Sequence, residues 1–379
     1  MGMQAVVMAG GWGQRLRPLT LKRPKPLVPL FGRPLLCYLV HHLHERGVEE
    51  VWVTAGHLGD QIEAYLATLP TDARLRCHVE ARPRGTAGAV ADLLGHLESP
   101  FLVISGDAII DLDLESLLDA HHADGNVATI CLAPAGERLR FGTIALAGRR
   151  VERFVEKPPL CEVAPGACLN TGCYILDHEA LRGVAGEQPV DFALDVFPAL
   201  LGRGLPVGAV AAARYWRDIG TLEAYREAHF DGLSGRLPWP LPPGADTRAG
   251  AAEAPVRVGR GVRVADGAEV RGPAVLGDGC VVGPGATVER SVLLDGVRVS
   301  AGATLRDCVV DAGALVPPGV HLAAAGLAGA PRGGVLGFRR VPAGRPAPAS
   351  GAAADGAARP AVEALAVRAA PPQSQPQPG

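Results

Sequence analysis

From residue 256 the chain counts in sixes. Val256–Gly261, Val262–Gly267, Ala268–Pro273, Ala274–Gly279 and Cys280–Gly285 each open on a small or branched apolar residue, and after one slip near Ser291 the pattern resumes at Val297 and Ala303. Six residues cannot bury their own apolar row, so the units must stack. Aligned apolar first positions with glycine at the corners suit a parallel β-helix. Its exposed rungs and open end need a cap or a second subunit, so a homo-oligomer is expected.

The rest of the chain obeys other rules. Up to about residue 230, β-type runs such as Val51–Thr54, Leu75–Val79 and Phe101–Ile104 alternate with helix-type segments such as Leu58–Leu69 and Gly85–Leu94. That alternation predicts a parallel, helix-covered α/β sheet, with ligands outside the carboxyl ends of its strands. Residues 231–255, with the run Pro238–Gly244, break both periodicities and are expected to be a linker; 256–320 are the repeats. Residues 321–379 turn to Ala, Gly and Pro and are expected to be disordered.

Composition excludes several classes of function. Across 379 residues, 37 basic and 39 acidic side chains leave a net charge of −2, and aromatics make up 4%. Neither a basic footprint nor stacking platforms for nucleic acid are present. No apolar run approaches the roughly 20 residues of a membrane span, and the first residues lack the layout of a signal peptide. Eight cysteines without a C-x-x-C pair fit reduced thiols in a cytoplasmic protein.

The apolar strand Ala5–Ala9 runs into Gly10-Gly11-Trp12-Gly13-Gln14-Arg15 and then Pro24-Lys25-Pro26. Glycines at a strand end let the backbone take φ > 0 and approach a ligand, so that N–H groups face phosphate oxygens. Arg15 adds a forked guanidinium and Lys25 a point charge, which together suit a polyphosphate. The spacing matches neither G-x-G-x-x-G nor a P-loop.

With Gly85-Thr86-Ala87-Gly88, Gly106-Asp107, Phe154-Val155-Glu156-Lys157-Pro158 and Trp216-Arg217-Asp218-Ile219-Gly220-Thr221, these motifs appear in an order that resembles the sugar-1-phosphate nucleotidyltransferases, also called NDP-sugar pyrophosphorylases, in the subgroup with a C-terminal left-handed β-helix. The resemblance covers residues 3 to about 318. It implies a Rossmann-like mixed or parallel sheet in residues 1–230, and attack of a sugar-1-phosphate on the α-phosphorus of a nucleoside triphosphate. Asp107 and Asp218 would hold Mg²⁺, a hard ion suited to carboxylate and phosphate oxygens. Arg15 would bind the triphosphate and Lys25 the reacting centre. Ala9, Gly10, Gly11, Gly13, Glu80, Gly85 and Thr86 would line the nucleotide. Lys157 would grip the sugar phosphate, with Gly142, Glu156, Asn170 and Thr171 at the sugar hydroxyls.

Glu80 stands where relatives contact the base edge. Guanine offers adjacent N1–H and N2–H₂ donors that one carboxylate accepts together, which favours GTP, and GDP-mannose from mannose-1-phosphate is the leading expectation. Glucose-1-phosphate uridylyl-, thymidylyl- or adenylyl transfer, or a catalytically silent sugar-nucleotide sensor, are the alternatives. Gln14 replaces the family's usual threonine, and Asn170-Thr171-Gly172 the commoner Asn-Ala-Gly. Acyl transfer by the repeats would need a histidine that 256–320 lacks. Asp111 and Asp113 are expected at a turn or helix cap, His41, His42, His44, His121 and His122 on solvated helix faces, and Cys168 and Cys173 in the core.

Overall fold

The computed structural model describes residues 2–134, 143–155, 168–184, 186, 188–242, 246–249, 254–328 and 338–340. Two compact units emerge. The first comprises Met1–Gln14, Thr20–Gly220 and Leu237–Pro240; the second comprises Arg15–Leu19, Thr221–Arg236 and the chain from Leu241 onward.

In the first unit the strands are β1 (Met3–Ala9), β2 (Pro29–Leu30), β3 (Arg33–Pro34), β4 (Val48–Ala55), β5 (Arg74–Val79), β6 (Phe101–Ser105), β7 (Ala108–Leu112), β8 (Ala128–Pro134), β9 (Thr143–Ala147), β10 (Arg150–Val155), β11 (Cys168–Leu176), β12 (Val207–Val210) and β13 (Ala213–Asp218). Nine of them form one sheet in the order β5-β4-β1-β6-β11-β8-β12-β10-β9. β5, β4, β1 and β6 run parallel, whereas β11 pairs antiparallel with both β6 and β8, so the sheet is mixed rather than parallel throughout.

Helices α1 (Leu35–His44), α2 (Gly59–Leu66) and α4 (Leu114–Ala123) pack on one face, and α3 (Gly85–Ala91) and α5 (Phe197–Gly202) on the other. β1 shows why its sequence is a continuous apolar run: Ala5, Val7 and Ala9 join the first core while Val6 joins the second. Asp113 caps α4, accepting from Ser116 N at 3.2 Å, and Asp111 pairs with Arg46 at 2.8 Å. Cys173 is buried, as expected.

The histidine expectation fails at two positions. His42 and His121 are buried, because each satisfies a core polar group: Leu112 N–H donates to His42 Nε2 at 3.2 Å, and His121 Nδ1 lies 3.0 Å from Thr129 Oγ1. Burial, with the Arg46 charge nearby, lowers the pKa of His42 to about 3.

The second unit holds α6 (Leu222–Leu233) and the coils. Val256 pairs in parallel with Ala274, 18 residues on; from there Val275 pairs with Val292 and Val292 with Val309, 17 residues on each time. The slip at Ser291 therefore recurs once per coil. Its cause is a corner: Arg290, Asp307 and Ala324 turn it in a single left-handed residue, with φ of 46°, 53° and 49°. The other two corners are glycine columns, Gly261-Gly279-Gly296-Gly313 and Gly267-Gly285-Gly302-Gly319, all with φ of 65–74°.

Inside the stack Cys280, Val297 and Ala314 are fully buried, as are Leu293, Leu305 and Leu327. Buried Ser291 takes an apolar position by donating to Glu289 O at 2.7 Å and accepting from Cys308 N at 2.9 Å. The last coil runs past 320, through strands His321–Ala323 and Ala325–Leu327, and Phe338–Arg340 pairs antiparallel with the latter. The interval expected to be a linker contains the end of α6 and a strand, Asp246–Ala249, paired with Pro255–Val258. Residues 341–379 lie outside the described residues. No described helix is long and apolar enough to cross a membrane.

Candidate active site

The sheet brings the ends of adjacent parallel strands together, and the sequence-predicted residues sit on those ends. Gly10 follows β1, Gly56 follows β4 and Glu80 follows β5, with Glu80 N donating to Ala55 O at 2.7 Å. These three positions interlock: a Cβ on Gly10 would stand 2.5 Å from Glu80 Oε1, and one on Gly56 would stand 2.9 Å from Gly10 O. Gly10 is therefore glycine for space. Of the three loop glycines expected to adopt positive φ, only Gly13 does, at 58°. It turns the chain under Thr20, whose hydroxyl donates to Gly13 O at 2.8 Å, and its own Cβ would stand 3.3 Å from Lys25 Cβ.

Lys25 opens a single turn between Pro24 and Pro26, and its side chain is buried. Its ammonium donates to Asp107 Oδ2 and lies 3.5 Å from Asp218 Oδ1. The two aspartates are 111 positions apart, yet the pairing of β7 with β13 sets Asp218 opposite Ala108, and Ile219 N donates to Asp107 O at 3.0 Å. Ser105, whose role the sequence did not reveal, donates to Asp107 Oδ1 at 2.5 Å. Burial acts to raise the Asp107 pKa, but the Lys25 charge and the hydrogen bonds from Lys25 and Ser105 hold it below the usual carboxylate range.

Other expected residues are occupied elsewhere. Glu80 Oε2 accepts from Arg84 N at 3.0 Å, leaving Oε1 beside Gly10. Gly85, at φ 74°, lets Val190 O approach so closely that a Cβ would stand 2.4 Å from it. Thr86 donates to Asp191 Oδ2 at 2.8 Å and accepts from Phe192 N at 3.0 Å. Asp191 is thus a tie for the start of α3 that carried no signal in the sequence. Thr171 is buried and its hydroxyl donates to Cys131 O at 2.7 Å, which braces the sheet. Asn170 Oδ1 accepts from Gly172 N at 3.0 Å within a bulge of β11. Gly142, Glu156 and Lys157 lie outside the described residues. Arg15 belongs to the second unit.

Among the described residues no group of three or more His, Cys, Asp or Glu side chains is placed to hold a metal. Asp107 and Asp218 are a two-carboxylate set. They converge on one ammonium, and their donor atoms are all oxygen. That set fits a hard divalent cation completed by water and phosphate oxygens.

A helix-covered sheet presenting a glycine loop, a buried lysine and two carboxylates at its strand ends, in a chain that continues as a hexapeptide β-helix, defines a phosphate-handling transferase. The chain belongs to the nucleotidyl transferase family: the family described as "Nucleotidyl transferase" matches residues 4–234, and "GlmU-like, C-terminal hexapeptide" matches 244–325. A mannose-1-phosphate guanylyltransferase of Mycobacterium tuberculosis is 33% identical over 82% of this chain and 83% of its own length. A UTP–glucose-1-phosphate uridylyltransferase of Synechocystis sp. is 30% identical over 81% of this chain and 87% of its own. The solved structure of HddC from Yersinia pseudotuberculosis complexed with GMP-PN is 26% identical, with a TM-score of 0.52, covering 60% of this chain and 98% of that one. Enzymes of this family generally use a divalent metal.

Proposed function

We propose that the chain is a sugar-1-phosphate nucleotidyltransferase joining GTP and mannose-1-phosphate into GDP-mannose and pyrophosphate. The observation that carries the chemistry is the convergence of Lys25 on Asp107 and Asp218. Two anionic substrates must be held in line for attack on the α-phosphorus, which needs positive charge and fixed geometry. In this reading Asp107 and Asp218 hold Mg²⁺, which neutralises phosphate charge when bound. Ser105 and Lys25 orient Asp107, and Lys25 faces the reacting phosphate. Arg15 binds the triphosphate, and Lys157 the sugar phosphate.

For the base, the support is Glu80 beside Gly10, together with the guanylyltransferase names among relatives and the GMP-PN of the Yersinia structure. The Synechocystis relative keeps UTP with glucose-1-phosphate as the second reading. The test is pyrophosphate release with Mg²⁺ from GTP, UTP, dTTP, ATP and CTP against mannose-, glucose-, galactose- and N-acetylglucosamine-1-phosphate, with Asp107→Asn as the blank. Turnover confined to GTP with mannose-1-phosphate supports the reading. Turnover with UTP or dTTP keeps the class and discards the role given to Glu80.

A further inference from the structure

The second unit contains more than coils: the segment Arg15–Leu19 and the helix α6 belong to it. Both meet at one glycine. A Cβ on Gly326, in the last coil, would stand 2.4 Å from Leu222 Cδ1 and 2.9 Å from Pro18 Cδ, closer than real Cβ atoms come. Gly326 lies outside the left-handed region, so unlike the corner glycines it is required by space.

One neighbour leads to a residue of the proposed reaction, the other to the helix that anchors it. Pro18 is three residues after Arg15, and Leu16 and Leu19 on either side of it are fully buried. Leu222 opens α6, whose cap Thr221 accepts from Ala224 N at 3.1 Å. Further along, α6 is fastened to the coils. Arg226 Nη1 donates to Asp307 O at 2.7 Å, and Arg290 pairs with Asp307 at 3.0 Å and with Glu227 at 3.6 Å. The Phe230 ring has the Arg226 and Arg290 guanidiniums 5.8 and 5.4 Å from its centroid.

We propose that the last coil of the β-helix is a positioning element for catalysis, with Gly326 seating the Arg15 segment against the start of α6. It rests on the role given above to Arg15. A repeat domain of this kind then sets the rate directly, besides whatever it does in assembly.

The test uses the full-length chain and the substrate pair that it turns over. Gly326→Val is expected to lower kcat about tenfold or more, since misplacing a catalytic group by about 1 Å can cost a hundredfold, while KM for the sugar phosphate moves less than about threefold. Combined with Arg15→Ala it is expected to be no slower than Arg15→Ala alone, because both remove the same contribution. Leu222→Val, which removes the δ-carbon that Gly326→Ala would strike, is expected to restore kcat to Gly326→Ala. If Gly326→Val does not fold, Gly326→Ala with that rescue carries the comparison. Arg15→Ala inactive beside a Gly326 variant at full kcat, or losses that simply multiply in the double variant, overturn the positioning role and leave the proposed function standing. Arg15→Ala at full rate overturns the role given to Arg15 and the positioning with it, and leaves the proposed reaction standing.

Discussion

The glycines at the first unit's strand ends and those at the β-helix corners are glycine for opposite reasons. In the first, Gly10, Gly56 and Gly106 have φ values any residue adopts, and each is pressed by a neighbour: Glu80 Oε1 at 2.5 Å, Gly10 O at 2.9 Å and Met8 O at 2.9 Å from where a Cβ would be. At the β-helix corners Gly261, Gly279, Gly285, Gly302, Gly313 and Gly319 have φ of 65–69° and nothing within 4 Å. One set is fixed by proximity, the other by conformation. The strand-end glycines lie where the sheet gathers its strand ends; the corner glycines recur with the period of a stack. The contrast separates the residues that shape a site from those that shape a scaffold, and it extends to charge.

The largest expected effect tests the charges. Asp107→Asn removes half of the carboxylate pair and is expected to slow turnover on the order of a thousandfold while circular dichroism is unchanged. Asp278→Asn in the stack, whose carboxylate accepts from Arg260 N at 2.8 Å and pairs with its guanidinium, is expected to change the rate less than about twofold. Equal losses would erase the distinction between the units. Because the folded-state pKa of Asp107 is depressed, its charge stabilises the fold above the ordinary carboxylate value, and that contribution disappears as pH falls through the lowered one.

Next in size is a pH effect that each unit shows through buried histidine. Burial lowers the pKa of His229 to about 4 in the second unit and that of His42 to about 3 in the first. Below pH 6.5 the unfolded chain binds a proton that the folded one refuses, so stability falls as pH drops from 6.5 toward those values. The loss for His229 is about 3 kcal/mol across that window. Urea melts from pH 7 to 4.5 should show it, and His229→Phe should flatten only the second unit's share. A slope untouched by His229→Phe would mean that the imidazole is already charged in the fold.

The repeats were legible because a six-residue period admits few folds, the glycine loop and Lys25 because glycines at a strand end beside cations suit phosphate, and Asp107 and Asp218 only through the ordered motifs that resemble the nucleotidyltransferases. What stayed hidden was set by distant pairing. A period of six gives no sign that one corner of each later coil is turned by Arg290, Asp307 or Ala324 instead of glycine, since the hydrogen bond that holds it comes from the coil before, as from Asp307 N to Glu289 O at 3.1 Å. Thr171 and Thr86 carry the right chemistry for a ligand, yet Cys131 and Asp191, 40 and 105 positions away, take their hydroxyls. His42 and His121 read as polar helix residues because Leu112 N and Thr129 are brought to them only by the sheet.

The glycine contrast itself can be broken by a matched pair. Gly279→Ala, strained at φ 69° but in open space, should cost about 1 kcal/mol of stability and leave KM unchanged, and Gly279→Asn should recover part of it because asparagine tolerates that region. Gly10→Ala should cost less stability, since its φ is ordinary, but should displace Glu80 and raise KM for the nucleotide about tenfold. Melting temperatures and KM values measured on both proteins decide the matter. A KM shift in Gly279→Ala would show that the corners shape the site as well.

The smallest expected effect is in the charge ladder along one face of the stack. Glu289 Oε2 is 3.0 Å from Arg306 and 3.9 Å from Arg271, on arginine side chains that are about half exposed. Water and salt screen such pairs, so Glu289→Gln should cost about 0.5 kcal/mol at low salt and almost nothing at 1 M, where the Debye length is about 3 Å. The Lys25 pairs in the first unit lie on a buried ammonium, and the same rise in salt should leave the activity lost in Lys25→Met unchanged. A salt-insensitive loss at Glu289 would mean that the ladder, like Lys25, is sheltered from water. The stack would then be held by charge as well as by its buried apolar columns.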